Sequence, residues 1–307
     1  MFGGSQVYFL FWALFNILSP IRGQHECGMV RESDLYNGKK VTEADEYTWI
    51  GRVGHGESRD SRAEFKCLSV LVSQRYAILP AHCAMDGDSG VPTFMELGTW
   101  RVYNPVHLGV CRPNRGGFCV PPKHQVDIEE LVVHPRHRRH PSPGFLQYDI
   151  ALAKLVRSVE LTDYLQPICL PPADGDEANQ VGQRLEMAGF KIPASAGWRV
   201  REDDDWRQKV TVHTASFQYC TSKKMIPVQL SENNLCAVRD KHDNFYPGSP
   251  LMGIEVVDGK PKNFYLIGIS SGIISLPDAD RDTFAVLRIA PFRKWILKNM
   301  HSNLTAE

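Results

Sequence analysis

The chain has 307 residues, 43% of them hydrophobic, enough for a sizeable core in one large β domain or two small ones. Lys and Arg total 35 and Asp and Glu total 35, so no global field argues for nucleic acid or for a membrane surface. Eight cysteines fit an oxidising compartment, though their spacing alone leaves the pairing open.

The first 23 residues read as a secretory signal: an apolar run over 7–18 precedes a Ser19-Pro20 break and the small residue Gly23. That run is shorter than the about 20 residues a membrane-spanning helix needs. Residues 24–34 form a short leading segment around Cys27, residues 35–300 the main domain, and residues 301–307 a tail. Within the domain, β-rich runs over 65–73 and 75–79 predict two closely joined strands. Further strands are predicted over 130–133, 150–155, 185–188, 209–212, 264–269 and 284–288. Many short strands with turn signals between them favour an antiparallel sandwich or barrels. A terminal helix begins at Pro291, with Phe292, Trp295, Ile296 and Met300 on one apolar face. Asn303-Leu304-Thr305 in the tail is a glycosylation sequon, placing a glycan on Asn303.

Three motifs carry the chemistry. Ala81-His82-Cys83 comes first, Asp149-Ile150-Ala151-Leu152 second, and Phe245-Tyr246-Pro247-Gly248-Ser249-Pro250-Leu251 last. Histidine, aspartate and then a Gly/Ser/Pro-rich turn is the chain order of a chymotrypsin-type triad. On these residues the sequence resembles the trypsin-like serine proteases, whose motifs are Ala-Ala-His-Cys, Asp-Ile-Ala-Leu and Gly-Asp-Ser-Gly-Gly-Pro-Leu. The resemblance implies an all-β, chymotrypsin-like double antiparallel β-barrel with a C-terminal helix. Counted back from Pro250, Pro247 falls at the nucleophilic serine. Proline has neither a hydroxyl for His82 to deprotonate nor a backbone N–H for the oxyanion hole. Losing one such donor costs about 100- to 1000-fold in rate. The expectation is a pseudoprotease in which His82 and Asp149 are relics. The rival is an active endopeptidase with its nucleophile displaced to Ser249. Pro247 would then fall at the other oxyanion donor, and Ser249 reads better as a small turn residue at a family glycine position.

The resemblance also chooses the cysteine pairs: Cys67 with Cys83, Cys27 with Cys169, Cys220 with Cys236, and Cys111 left to Cys119. That last bridge, followed by Val132-Val133-His134-Pro135, resembles the arthropod clip-type subgroup. The family bridge that braces the primary pocket is missing at both ends, since Asp243 stands at its first position and no cysteine follows Cys236. Both ends of the family's activation switch are replaced too, by Asp34 and Tyr246. Lys241 falls at the pocket-floor aspartate of trypsin-like members, where a cation repels Arg or Lys side chains. The basic run from His134 to His140 reads as a solvated loop, with anion binding or a pH response as its alternatives. Its histidines lack interleaved carboxylates or cysteines, so no metal is expected, and no cofactor. The resemblance implies a secreted regulator or cofactor of an extracellular protease cascade in innate immunity, specifically melanisation. Its partners would be proteins of that cascade, with neither nucleic acid nor membrane among them. A microbial-surface binding protein is the further alternative.

Overall fold

The computed structural model describes residues 27–56, 64–85, 90–103, 108–111, 119–138, 146–173, 180–192, 203–222, 230–240, 244–273 and 281–301. The expected signal segment 1–23, the sequon at Asn303, and Lys241 and Asp243 lie outside the described residues.

The strands run in chain order as β1 (Ile50–His55), β2 (Glu64–Leu71), β3 (Tyr76–Leu79), β4 (Phe94–Leu97), β5 (Val110–Cys111), β6 (Cys119–Val120), β7 (His124–Val133) and β8 (Ala151–Leu155). After them come β9 (Arg184–Gly189), β10 (Gln208–Ser216), β11 (Asn234–Asp240), β12 (Pro250–Val257), β13 (Lys260–Ile273) and β14 (Arg281–Arg288). The helices among the described residues are α1 (Glu32–Leu35), α2 (Ala81–Ala84), α3 (Phe217–Ser222) and α4 (Arg293–His301), the last entered through a 3-10 turn over Ala290–Phe292. Strands β1-β2-β3-β8-β7-β4 close one barrel and β10-β11-β14-β13-β12-β9 close a second, every named pairing being antiparallel. Closure removes the sheet edges that would otherwise present unpaired backbone. The fold is the all-β double barrel with a C-terminal helix that the sequence predicts.

Val53, Leu68, Val70, Ile78 and Leu152 fill the first barrel, and Met187, Val212, Leu251, Phe284 and Val286 the second. A satellite cluster of Val41, Trp100, Val110, Val120 and Trp206 seats the small β5-β6 sheet, with Trp100 and Trp206 meeting edge to face at 4.8 Å. The disulfides are Cys27–Cys169, Cys67–Cys83, Cys111–Cys119 and Cys220–Cys236. There is no free thiol. In the terminal helix Ile296 is fully buried, with Trp295 and Met300 packed against the core. The α-helix proper starts at Arg293, and Pro291 sits in the 3-10 turn ahead of it, where its missing N–H leaves no bond unmade.

The leading segment docks on the second barrel. Gly28 takes φ +62°, and a Cβ there would lie 2.0 Å from the Phe264 carbonyl oxygen, so only glycine fits. Its N–H donates to the Pro167 carbonyl at 2.8 Å and its carbonyl accepts from Phe264 N–H at 2.6 Å. Further along, Lys209 Nζ donates to the Asp34 carbonyl at 2.9 Å and pairs with Glu46 at 2.6 Å. Beside it Arg207, wholly buried, donates to the carbonyls of Ala44 at 2.7 Å and of Glu43 and Thr99 at 3.2 Å. Burial pulls its pKa down to about 10, which leaves it charged at neutral pH.

Candidate functional site

His82 stands on α2, the single turn that follows β3, and the Cys67–Cys83 bridge ties that turn to β2. Asp149 lies just ahead of β8, which pairs with β3, so the two strands deliver both side chains to one place. The Asp149 Oδ2 oxygen faces His82 Nδ1 at 2.8 Å, and Oδ1 accepts the His82 backbone N–H at 2.9 Å. Asp149 is wholly buried while the His82 side chain is 40% exposed. Burial alone would lift the Asp149 carboxyl; the charge of His82 and the two hydrogen bonds outweigh it and hold the group below its ordinary range. For His82, burial pulls the imidazole down, but the Asp149 carboxylate overrides it and leaves the pKa raised. His137 sits half-buried nearby, lowered by burial, with Asp149 acting in the opposite sense.

The turn carrying Pro247 meets the first barrel at Leu68. Leu68 N–H donates to the Pro247 carbonyl at 2.7 Å, and Gly248 N–H donates to the Ser270 carbonyl at 2.7 Å. Gly248 takes φ +91°, and a Cβ there would fall 2.0 Å from the Leu68 carbonyl oxygen. Ser249 is wholly buried; its hydroxyl donates to the Tyr246 carbonyl at 2.8 Å and its N–H to Ser270 Oγ at 3.1 Å. Gly189 packs against it so closely that an added Cβ would lie 2.5 Å from Ser249 Oγ. Tyr246 is half-buried, and burial pushes its phenol up.

Beside Pro247 opens a small cleft of about 160 Å³ lined by Ile192, Arg239, Asn244, Phe245, Ser270, Gly272 and Phe284. Sequence reasoning missed Arg239 and Phe284. Arg239 is 4% exposed, its guanidinium 4.6 Å from the Phe284 ring centre and 5.4 Å from that of Phe245, with Asp282 Oδ2 at 3.8 Å from Nε. The available signal was a charge ending the apolar run Leu235-Cys236-Ala237-Val238.

The basic run divides. Arg136 and Arg138 are exposed, whereas His134 stacks on Tyr148 at 5.3 Å and meets the edges of Phe292 and Trp295. The solvated-loop reading is therefore corrected for His134, which aromatic packing against the C-terminal turn withdraws from water, while His137 is half-buried with its N–H donating to the His134 carbonyl at 2.8 Å. Arg139 and His140 lie outside the described residues. As for metals, the sulfurs of Cys67 and Cys83 cluster with His82, but they are joined to each other and offer no thiolate ligand.

Two six-stranded antiparallel barrels, with a His–Asp pair on the first and a Gly-Ser-Pro turn of the second bonded to that first barrel at Leu68, define the chymotrypsin-like class. The chain belongs to the trypsin family, whose model matches residues 37–296. Phenoloxidase-activating factor 1 of Holotrichia diomphalia is 28% identical over 80% of this chain and 65% of its own. Serine protease ea of Drosophila melanogaster is 33% identical over 85% of this chain and 64% of its own. The chain thus spans about two thirds of the length of these curated relatives. In three dimensions it is similar to the Drosophila Grass clip serine protease of the Toll pathway, with TM-score 0.72 and 22% identity over 92% of this chain and 77% of that one.

Proposed function

We propose that this chain is a secreted, non-catalytic serine protease homologue that regulates, as a cofactor, an extracellular protease cascade of innate immunity leading to melanisation. One observation carries the reading: the residue at the nucleophile's place in the turn is Pro247, which has no hydroxyl and no backbone N–H. The geometry of Ser249 supports it against the rival. A wholly buried hydroxyl committed to the Tyr246 carbonyl presents nothing to a substrate. The cascade assignment is supported by relatives whose names place them in phenoloxidase activation. The four disulfides support an extracellular setting.

Two measurements test it. A serine-reactive fluorophosphonate leaves the purified protein unlabelled, and labelling would return the reading to an active hydrolase. Added to a reconstituted prophenoloxidase cascade, the protein changes the phenoloxidase activity released. No effect at any concentration removes the cofactor role.

A further inference from the structure

The cleft beside Pro247 has apolar walls and a charged one. Ile192, Phe245, Pro247 and Phe284 give it its apolar walls, and among its described lining residues Arg239 alone is charged. A guanidinium held against the faces of Phe245 and Phe284 keeps its charge while losing most of its water. In such surroundings its field is screened less than at the surface. Asp282 pairs with it at Nε from 3.8 Å, longer than a hydrogen bond. Asn244 adds a second polar group: its Oδ1 is buried and makes no hydrogen bond. Turned by half a rotation, the same amide presents its NH₂ donors instead. A cation in one wall and an amide in another complement an anion and repel a basic side chain.

We propose that this cleft receives the carboxylate side chain of an acidic residue, Asp or Glu, in an extended segment of a partner protein. The volume of about 160 Å³ admits a side chain of that size. The apolar walls cover its methylenes, and Arg239 and Asn244 face its oxygens. The inference rests on the non-catalytic reading in one respect: the segment is held and not cut.

Fluorescence anisotropy with blocked hexapeptides that differ only at one central residue tests the proposal on the full chain. The Glu peptide binds at least tenfold tighter than the Arg peptide and tighter than the Gln peptide, with the preference weakening as salt rises. Ile192 lies at the rim and is 38% exposed, so Ile192→Asp leaves the fold intact. That variant loses the preference for Glu over Gln through repulsion at the mouth. Arg239→Met loses it as well; if Arg239→Met does not fold, the parent panel and Ile192→Asp still decide. Equal binding of the Glu and Phe peptides, tighter binding of the Arg peptide, or no binding by any peptide overturns the proposal. Cleavage of a selectively bound Glu peptide would instead leave the charge preference standing and remove the non-catalytic reading.

Discussion

His82 and its wholly buried carboxylate partner are both opposed by burial, and their mutual charge and hydrogen bonds set how the pair titrates. The raised imidazole contributes stability that is complete below the unfolded value of 6.5 and fades as pH rises through its higher native value. Asp149 runs the other way, contributing above its unfolded value of 3.8 and losing that contribution as pH falls through its lower native value. In a proton NMR titration the His82 midpoint falls above 6.5. Asp149→Asn brings it below 6.5, because burial then acts without the opposing charge. A midpoint indifferent to that change would mean Asp149 does not govern His82. These two residues were legible in the sequence because each sits inside a contiguous motif. Arg239 and Phe284 were not, because they line the cleft through the β11–β14 register, in which Arg239 opposes Asp282 and Ala237 opposes Phe284. The local sequence marks Arg239 only as a charge ending an apolar run, and nothing local says which ring it faces across the register.

Among the elements, the strands found by pattern are those with dense β-branched or aromatic runs, such as β13 and β14. Strand β7 spans ten residues where the pattern gave four, since His124, Gln125, Asp127 and Glu129 place polar groups along a partly exposed stretch. Strand β1 escaped because Gly51 and Gly54 dilute its apolar signal. The disulfides differ in what each holds. Cys27–Cys169 spans 142 residues and Cys111–Cys119 spans 8. By chain entropy, removing the first costs about 5 kcal/mol and the second about 2–3 kcal/mol. Urea unfolding of the two paired Cys→Ala variants checks the order. Equal losses would show that the leading segment is not held through its bridge.

For the molecule as a whole, the proposed non-catalytic reading rests on Pro247 together with several neighbouring residues. Pro247→Ser restores a side chain for His82 to act on and a backbone N–H. It leaves Tyr246 in place of the activation aspartate and Arg239 with Phe284 in the cleft. The variant therefore shows no turnover of arginine peptides in a chromogenic assay, where a cation in the cleft wall opposes the substrate's own charge. Measurable hydrolysis of an arginine peptide by Pro247→Ser alone would mean that the cleft still admits a basic side chain.

The docking of the leading segment on the second barrel also fixes an order of events in time. Of the eight cysteines in this sequence Cys27 leads, and its partner follows 142 residues later, on the order of ten seconds at ordinary rates of translation. Cys67, Cys83, Cys111 and Cys119 all emerge in that interval. An early thiol waiting beside four later ones is open to pairing with the wrong sulfur, and uncatalysed correction takes minutes to hours. Chains arrested in translation between Cys119 and Cys169 accordingly show transient bridges to Cys27 in acid-quenched samples. Removing Cys27 and Cys169 together lets Cys67–Cys83 form sooner. The covalent tether that secures the leading segment is thus the bridge whose first cysteine waits longest for its partner.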